Sequence, residues 1–233
     1  RTLRVHLLDT RQYRSKQRCE RGMTRPCRTD ALAGAEHMLG SAQEQWLGAG
    51  LDSGVRWHLL AQQVMVMPYA YPDSRKSGPT NTDSWSGYPA ARARFLTGAL
   101  GMGADTIVIT GDSHNAWAFN HSLDGKPVAA EFGVQSVTSP GYEGSLKADP
   151  AIIRAGLLQS SPGLQWCDTS RRGYLTLSFN AAETRCDWVF MDTIKTVSMA
   201  TSAPQAAVVE ITLGGLSLMA EQACCLALAQ HRA

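Results

Sequence analysis

The chain has 233 residues, enough for one domain with a sizeable core. Apolar residues make up 44% and charged residues 18%, a globular balance that excludes both a disordered and a membrane-embedded chain. The net charge of +2 implies no polyanionic partner, so no nucleic-acid-binding surface is expected, and no apolar run is long enough to span a membrane.

The chain opens as though already inside a strand. Residues 5–8 form a short apolar run that delivers Asp9, Thr10 and Arg11 at its carboxyl end. It has neither an initiator methionine nor a signal-peptide pattern there, and is expected to be cut from something longer. A loop follows to about residue 34, carrying the basic run 11–28, which reads as a solvated loop. Residues 40–51 place Ala42, Trp46, Leu47 and Leu51 at helical spacing, with Ser41 as N-cap and Glu44 three residues on. Residues 55–67 predict a buried strand stopped by Pro68. Residues 69–87 form a long polar loop, and 88–100 return to a helix with Pro89 in its first turn.

Thr106-Ile107-Val108-Ile109-Thr110 is the clearest buried strand, and it runs directly into Gly111-Asp112-Ser113-His114. Beyond it, residues 127–139 read as strand, 149–158 as helix, and 173–180 with 183–192 as an alternating hairpin. Residues 208–213 read as one more short strand, and 214–229 as a packed or amphipathic helix. Early strand–helix alternation and a late hairpin give an α/β or α+β class with a mixed sheet.

The six cysteines (Cys19, Cys27, Cys167, Cys186, Cys224 and Cys225) show no zinc-type pair spacing. Cys19 and Cys27 are close enough in sequence to bridge in an oxidising compartment; buried thiols are the other reading. There is no G-x-S-x-G elbow and no glycine-rich phosphate loop.

The chemistry concentrates in Gly111-Asp112-Ser113-His114-Asn115. In an extended segment Asp112 and His114 point to the same side, and a carboxylate beside an imidazole suits a divalent or trivalent cation. Two donors are too few to hold it. Asp9 is the first internal candidate for a further ligand, followed by Asp83 and His121. Arg11 and Arg14 suit a bidentate oxyanion clamp, with an Asp9–Arg11 ion pair as the alternative. The aromatic residues of Asp83-Ser84-Trp85-Ser86-Gly87-Tyr88-Pro89 either line a pocket or seat the following helix.

Taken in order, these stretches resemble one family. They are Leu8-Asp9-Thr10-Arg11-Gln12-Tyr13-Arg14, Gly40-Ser41-Ala42-Gln43-Glu44-Gln45-Trp46-Leu47, Trp57-His58-Leu59-Leu60-Ala61-Gln62-Gln63 and Asp83-Ser84-Trp85-Ser86-Gly87-Tyr88-Pro89-Ala90-Ala91-Arg92. Thr110-Gly111-Asp112-Ser113-His114-Asn115-Ala116-Trp117, Glu131-Phe132-Gly133, residues 136–141 and Arg172-Gly173-Tyr174 complete the series. The chain resembles the PhoD-like alkaline phosphatase and phosphodiesterase family from residue 3 to about 195. That resemblance implies a calcineurin-like metallophosphoesterase fold, a sandwich of two β-sheets flanked by helices. It assigns residues 1–195 to the C-terminal part of that domain and leaves 196–233 as a tail with no readable motif.

The same resemblance implies hydrolysis of phosphomonoester or phosphodiester substrates with iron and calcium, other divalent metals being alternatives. Asp112 and His114 become metal ligands, and Asn115, Arg11, Asp9 and Trp117 contact substrate or support the ligands. Periplasmic or secreted location is implied too, although no signal is visible. Two departures stand out. The family's Gly-Asp-Tyr strand end, ligand cysteine and Trp-Asp-Asp-His-Glu stretch are absent from the sequence, and Ser86 stands where the family usually has Asp. The chain alone is therefore expected to be inactive, with no catalytic residue in isolation. The competing readings are a non-catalytic remnant or interaction module of the same fold, and an esterase using Ser113 with His114.

Overall fold

In the computed structural model of the protein, residues 2–17, 35–51, 54–68, 82–99, 105–202, 205–212 and 215–221 are described; for 205–212 and 215–221 this concerns the backbone path alone. Among them two sheets form. The first has six strands in the order β1-β2-β3-β5-β4-β6: β1 (Leu3–Leu7), β2 (Trp57–Ala61), β3 (Asp105–Thr110), β5 (Lys126–Gly133), β4 (Ala116–Leu123) and β6 (Leu164–Asp168). Strands β1, β2, β3 and β5 run parallel, and β4 lies antiparallel between β5 and β6. The second sheet is antiparallel, in the order β10-β9-β8-β7, with β7 (Gly173–Phe179), β8 (Glu183–Phe190), β9 (Gln205–Thr212) and β10 (Gly215–Glu221).

Alternation along the strands sorts the first sheet's residues between two cores. Trp57, Leu59, Ile107, Ala118, Phe132 and Trp166 face the second sheet and pack with Cys186, Trp188 and Phe190. The Trp166 and Trp188 ring centroids are 4.8 Å apart, and the Trp188 indole N–H donates to the Gly133 carbonyl at 2.8 Å. A tryptophan buried on this scale supplies a large apolar area only because its one polar atom finds an acceptor. The opposite face is covered by α1 (Ser41–Gly50), α2 (Pro89–Arg94) and α4 (Pro150–Ser160), while the short α3 (Tyr142–Leu146) packs beside α4. The α/β sandwich flanked by helices is thus the architecture the sequence implies.

Several local readings need correction. Ser41 does not cap α1. Gly40 does, at a positive φ of 76° that favours glycine, and its carbonyl accepts the Glu44 N–H at 3.0 Å. The strand expected over 55–67 stops at Ala61: Gln62 and Gln63 still bond to the chain at the end of β3, and Val66 and Met67 turn their amides to the buried Glu131 carboxylate. Helix α2 passes into a π-helical turn, Phe95–Ala99. The helix expected over 214–229 is, as far as residue 221, strand β10, since pairing with β9 satisfies its backbone; the rest lies outside the described residues. Strands β4 and β6 carry no sequence expectation. Cys167 and Cys186 are buried and free, burial pushing the Cys167 thiol up to about 12; Cys19, Cys27, Cys224 and Cys225 lie outside the described residues.

Candidate functional site

The parallel strands end along one rim, where open α/β sheets place their ligand sites. It is stitched by backbone bonds from Leu8 N–H to the Ala61 carbonyl (2.9 Å), Gly111 N–H to that of Gln63 (3.0 Å) and Val134 N–H to that of Thr110 (2.8 Å). The Gln63 side chain ties the first strand to the second. Its amide nitrogen donates to the Leu8 carbonyl at 2.7 Å, and its oxygen accepts the Thr10 N–H at 2.8 Å and hydroxyl at 2.6 Å. A cleft of about 880 Å³ opens here, bordered by Leu7, Arg11, Gln63, Thr110, Asp112 and Tyr174.

The Gly111–His114 segment is a turn rather than a continuation of β3. The Ser113 N–H donates to the Gly111 carbonyl at 2.7 Å, and both Asp112 (φ 66°) and His114 (φ 63°) adopt left-handed backbone. The two-residue strand alternation that would point both side chains to one side therefore does not apply here. Left-handed backbone is costly for residues bearing a side chain, and it persists where surroundings over-determine it. Those surroundings are present. The Trp117 indole N–H donates to Ser113 Oγ at 2.7 Å. Asn115 is fully buried, donating to the Ser113 carbonyl and accepting the Tyr142 N–H at 3.0 Å. His114 Nδ1 lies 3.0 Å from the Pro140 carbonyl. A carbonyl only accepts, so Nδ1 carries a hydrogen and Nε2 is the ring nitrogen left for another partner.

Around Asp112 the charges are shared. Arg11 places Nη2 2.9 Å from Asp112 Oδ1 and Nη1 2.7 Å from Asp83 Oδ2, while Arg14 and Gln17 hold Asp83 Oδ1 at 2.8 and 2.6 Å. Burial works against the Asp83 charge, but bonds from Arg11 and Arg14 outweigh it and hold this carboxyl below its ordinary value. Asp9 makes no ion pair with Arg11; its Oδ1 instead accepts the backbone N–H groups of Arg11 (2.8 Å) and Gln12 (2.9 Å), a side-chain turn that aims Arg11 across the rim.

The other candidates separate from this pair. His121 is buried and bonded to Glu131 at 2.7 Å, and Asp83 is neutralised by two arginines. Among the described residues no three His, Cys, Asp or Glu side chains group as a metal site. Ser113 Oγ is enclosed by Trp117 and Asn115 while the His114 ring is turned to Pro140, so the two do not form a nucleophile–base pair. Asn115 and Trp117 brace the turn from behind. Trp85 and Tyr88 are buried and seat α2, and the Ser86 hydroxyl is buried without a hydrogen-bond partner. The sequence reading gave Gln63, Glu131 and Pro140 no role. All three lay inside stretches that carried the resemblance, which is the one signal that pointed at them.

Comparison with known proteins places the chain. A family model described as PhoD-like phosphatase matches residues 1–188. Alkaline phosphatase D of Bacillus subtilis (strain 168) is 33% identical over 193 residues, covering 80% of this chain and 32% of that protein. A solved structure of PhoD superimposes with a TM-score of 0.76 at 26% identity, covering 95% of this chain and 42% of that one. The chain thus spans well under half the length of the relatives it matches.

Proposed function

This chain belongs to the PhoD-like phosphatase family, and from that premise we propose that it serves the metal-assisted hydrolysis of phosphate esters, with Asp112 and His114 as metal ligands. One observation carries the reading: the Asp112 carboxylate stands at the strand rim, and two residues on the His114 ring is fixed through Nδ1 to a backbone carbonyl, which leaves Nε2 for another partner. Metal-bound imidazoles characteristically donate their other nitrogen to a carbonyl or carboxylate, so these residues fit a cation.

Iron and calcium are the cations the family resemblance supports, other divalent ions being alternatives. A bound cation cluster supplies charge to the phosphoryl oxygens and acidifies a coordinated water. The chain's own residues do the positioning. Arg11 presents a planar fork that neutralises either Asp112 and Asp83 or an incoming phosphate oxygen, and Asp83 with Arg14 keeps it at the rim. Asn115 and Trp117 hold the left-handed turn, and Asp9 aims Arg11. Two donors do not make a catalytic shell, so the remaining ligands come from residues beyond those described, and we propose that the chain alone is inactive. Export to the periplasm or medium is the location the resemblance supports; among the described residues no helix is long and apolar enough to cross a membrane.

The test is elemental analysis with p-nitrophenyl phosphate hydrolysis, on this chain and on one extended upstream. Iron, calcium and turnover in the extended form alone are expected. Chelator-sensitive turnover by residues 1–233 refutes the claim of inactivity. Neither metal nor turnover in either form overturns the phosphatase reading in favour of a non-catalytic remnant of the fold.

A further inference from the structure

Behind the His114 turn lies an ion pair, buried at Arg172 and partly exposed at Glu143, that the chemistry above does not use. Pro140, whose carbonyl accepts the His114 ring, begins a short segment held at each following amide. The Gly141 N–H donates to Glu143 Oε1 at 3.2 Å, and the Tyr142 N–H to Asn115 Oδ1 at 3.0 Å. Glu143 Oε1 also receives the Arg172 guanidinium. Arg172 is buried, with 5% of its side chain exposed, and donates through Nη1 to the Arg171 carbonyl at 2.6 Å. It sits immediately before β7, where its own carbonyl accepts the Met191 N–H at 2.8 Å and Gly173 N–H reaches the Ser136 carbonyl at 3.1 Å. The pair therefore runs from the second sheet to the segment that orients the imidazole.

The chain is closely packed around Gly141. A Cβ there would lie 2.5 Å from Asn115 Oδ1, 2.6 Å from the Thr169 carbonyl oxygen and 2.8 Å from Glu143 Oε2. Three oxygens thus crowd one face of the glycine, so no side chain has room there. Glu143 Oε2 is itself buried without a hydrogen-bond partner. Such a carboxylate is held by its other oxygen or not at all, because a buried anion left unpaired is costly.

We infer that Arg172 and Glu143 are positioning residues for His114: they fix the Pro140 carbonyl, and through it the tautomer and direction of the ring. The geometry stands on its own; its consequence for catalysis rests on the metal-ligand reading of His114. The arrangement extends the rule that partners behind a metal-bound imidazole set its orientation. It adds a link to the second sheet, so that packing between the sheets is felt at the ligand.

The test uses the whole chain with histidine rings labelled with nitrogen-15, observed at about pH 8, above the ordinary imidazole range. The wild-type His114 signal, assigned with His114→Gln, is expected to show the Nδ1–H form. Arg172→Met is expected to shift that signal toward a mixture of tautomers, Arg172→Lys to restore much of it, and Glu143→Ala to reproduce the Met variant. A role in stability alone would lower the melting temperature and leave the ring signal in place. If Arg172→Met fails to fold, Glu143→Ala decides in its stead. A His114 signal unchanged in a folded variant that lacks the ion pair overturns the inference. A second arm titrates Co2+ and follows broadening of the ring signals, with apparent affinity in Arg172→Met expected to fall about tenfold. If the tautomer shifts as expected but wild-type His114 never feels Co2+, the positioning role stands and the metal-ligand reading falls.

Discussion

Two pairs of groups built around buried imidazoles lie on the helix-facing side of the six-stranded sheet, and they are solved differently. Toward the carboxyl ends, Glu131 and His121 are each 1% exposed and 2.7 Å apart. Glu131 also accepts the Val66 N–H at 3.0 Å, the Met67 N–H at 2.7 Å and the Thr110 hydroxyl at 3.1 Å. On the same face, His6 Nε2 and His58 Nδ1 meet at 3.0 Å, and His58 Nε2 is buried with no partner among the described residues. The first cluster pins Val66 and Met67, a few residues after the Gln63 that borders the candidate site. Among the described residues no hydrogen bond links the second to that site. The carboxylate partnered at both oxygens is a brace, whereas the imidazole left half-partnered is a cost.

The sharpest way to break this contrast is Glu131→Ala. It strands two backbone amides, a hydroxyl and an imidazole in one buried space, and is expected to cost about 3–5 kcal/mol. Urea unfolding measures it, with Glu131→Gln, which keeps an acceptor, losing less. A loss below about 1 kcal/mol would show that water replaces the carboxylate freely and that the cluster is no brace.

The second test removes the other cluster. Burial first, and for His58 the nearby Arg4 charge next, depress both rings below their ordinary value; for His6 the His58 ring adds to it. A depressed histidine is neutral when folded and takes up its proton more readily unfolded. Its stability is therefore complete above about pH 6.5 and declines as pH falls from there toward the folded value. Replacing His6 and His58 together with Leu is expected to change stability by about 1 kcal/mol or less at pH 8. The same variant should flatten the fall in melting temperature between about pH 6.5 and 5. An unchanged slope assigns the acid sensitivity to other groups.

How far the sequence reveals these features depends on how far apart the interacting residues lie. Strand β3 is legible because a parallel strand buried on both faces is a continuous apolar run, and the β7–β8 hairpin because its burial alternates along both strands. Strand β4 hides because it follows the site motif almost directly and reads as part of it. Strand β6, five residues of mixed pattern, carries no period to detect. In β10, Leu216, Leu218 and Ala220 do alternate, but their density imitates a helix. Asp112 and His114 are legible as chemistry, although through a strand geometry that the left-handed turn replaces. What braces them is not. Glu131 and Val66 are 65 positions apart, and Arg172 and Glu143 are 29 apart, so only the folded chain brings them together.

The last test turns to the rim, and it sharpens the comparison by showing what exposure does to a charge pair. Asp83 joins Arg11 and Arg14 with its side chain 38% exposed, where water screens the attraction. Asp83→Asn is therefore expected to cost only about 1 kcal/mol at neutral pH. That loss should shrink further in high salt, unlike the loss in Glu131→Ala. The sign against pH is opposite to that of the imidazole pair in cause but not in direction. A depressed carboxyl contributes fully above its unfolded value of about 3.9 and loses that contribution as pH falls through the lower folded value, where the carboxyl itself takes up a proton. Wild type and Asp83→Asn should converge in stability at that acid limit. If they diverge instead, the side chain holds the rim by shape rather than charge, and the arginine fork opposite Asp112 is set by packing alone.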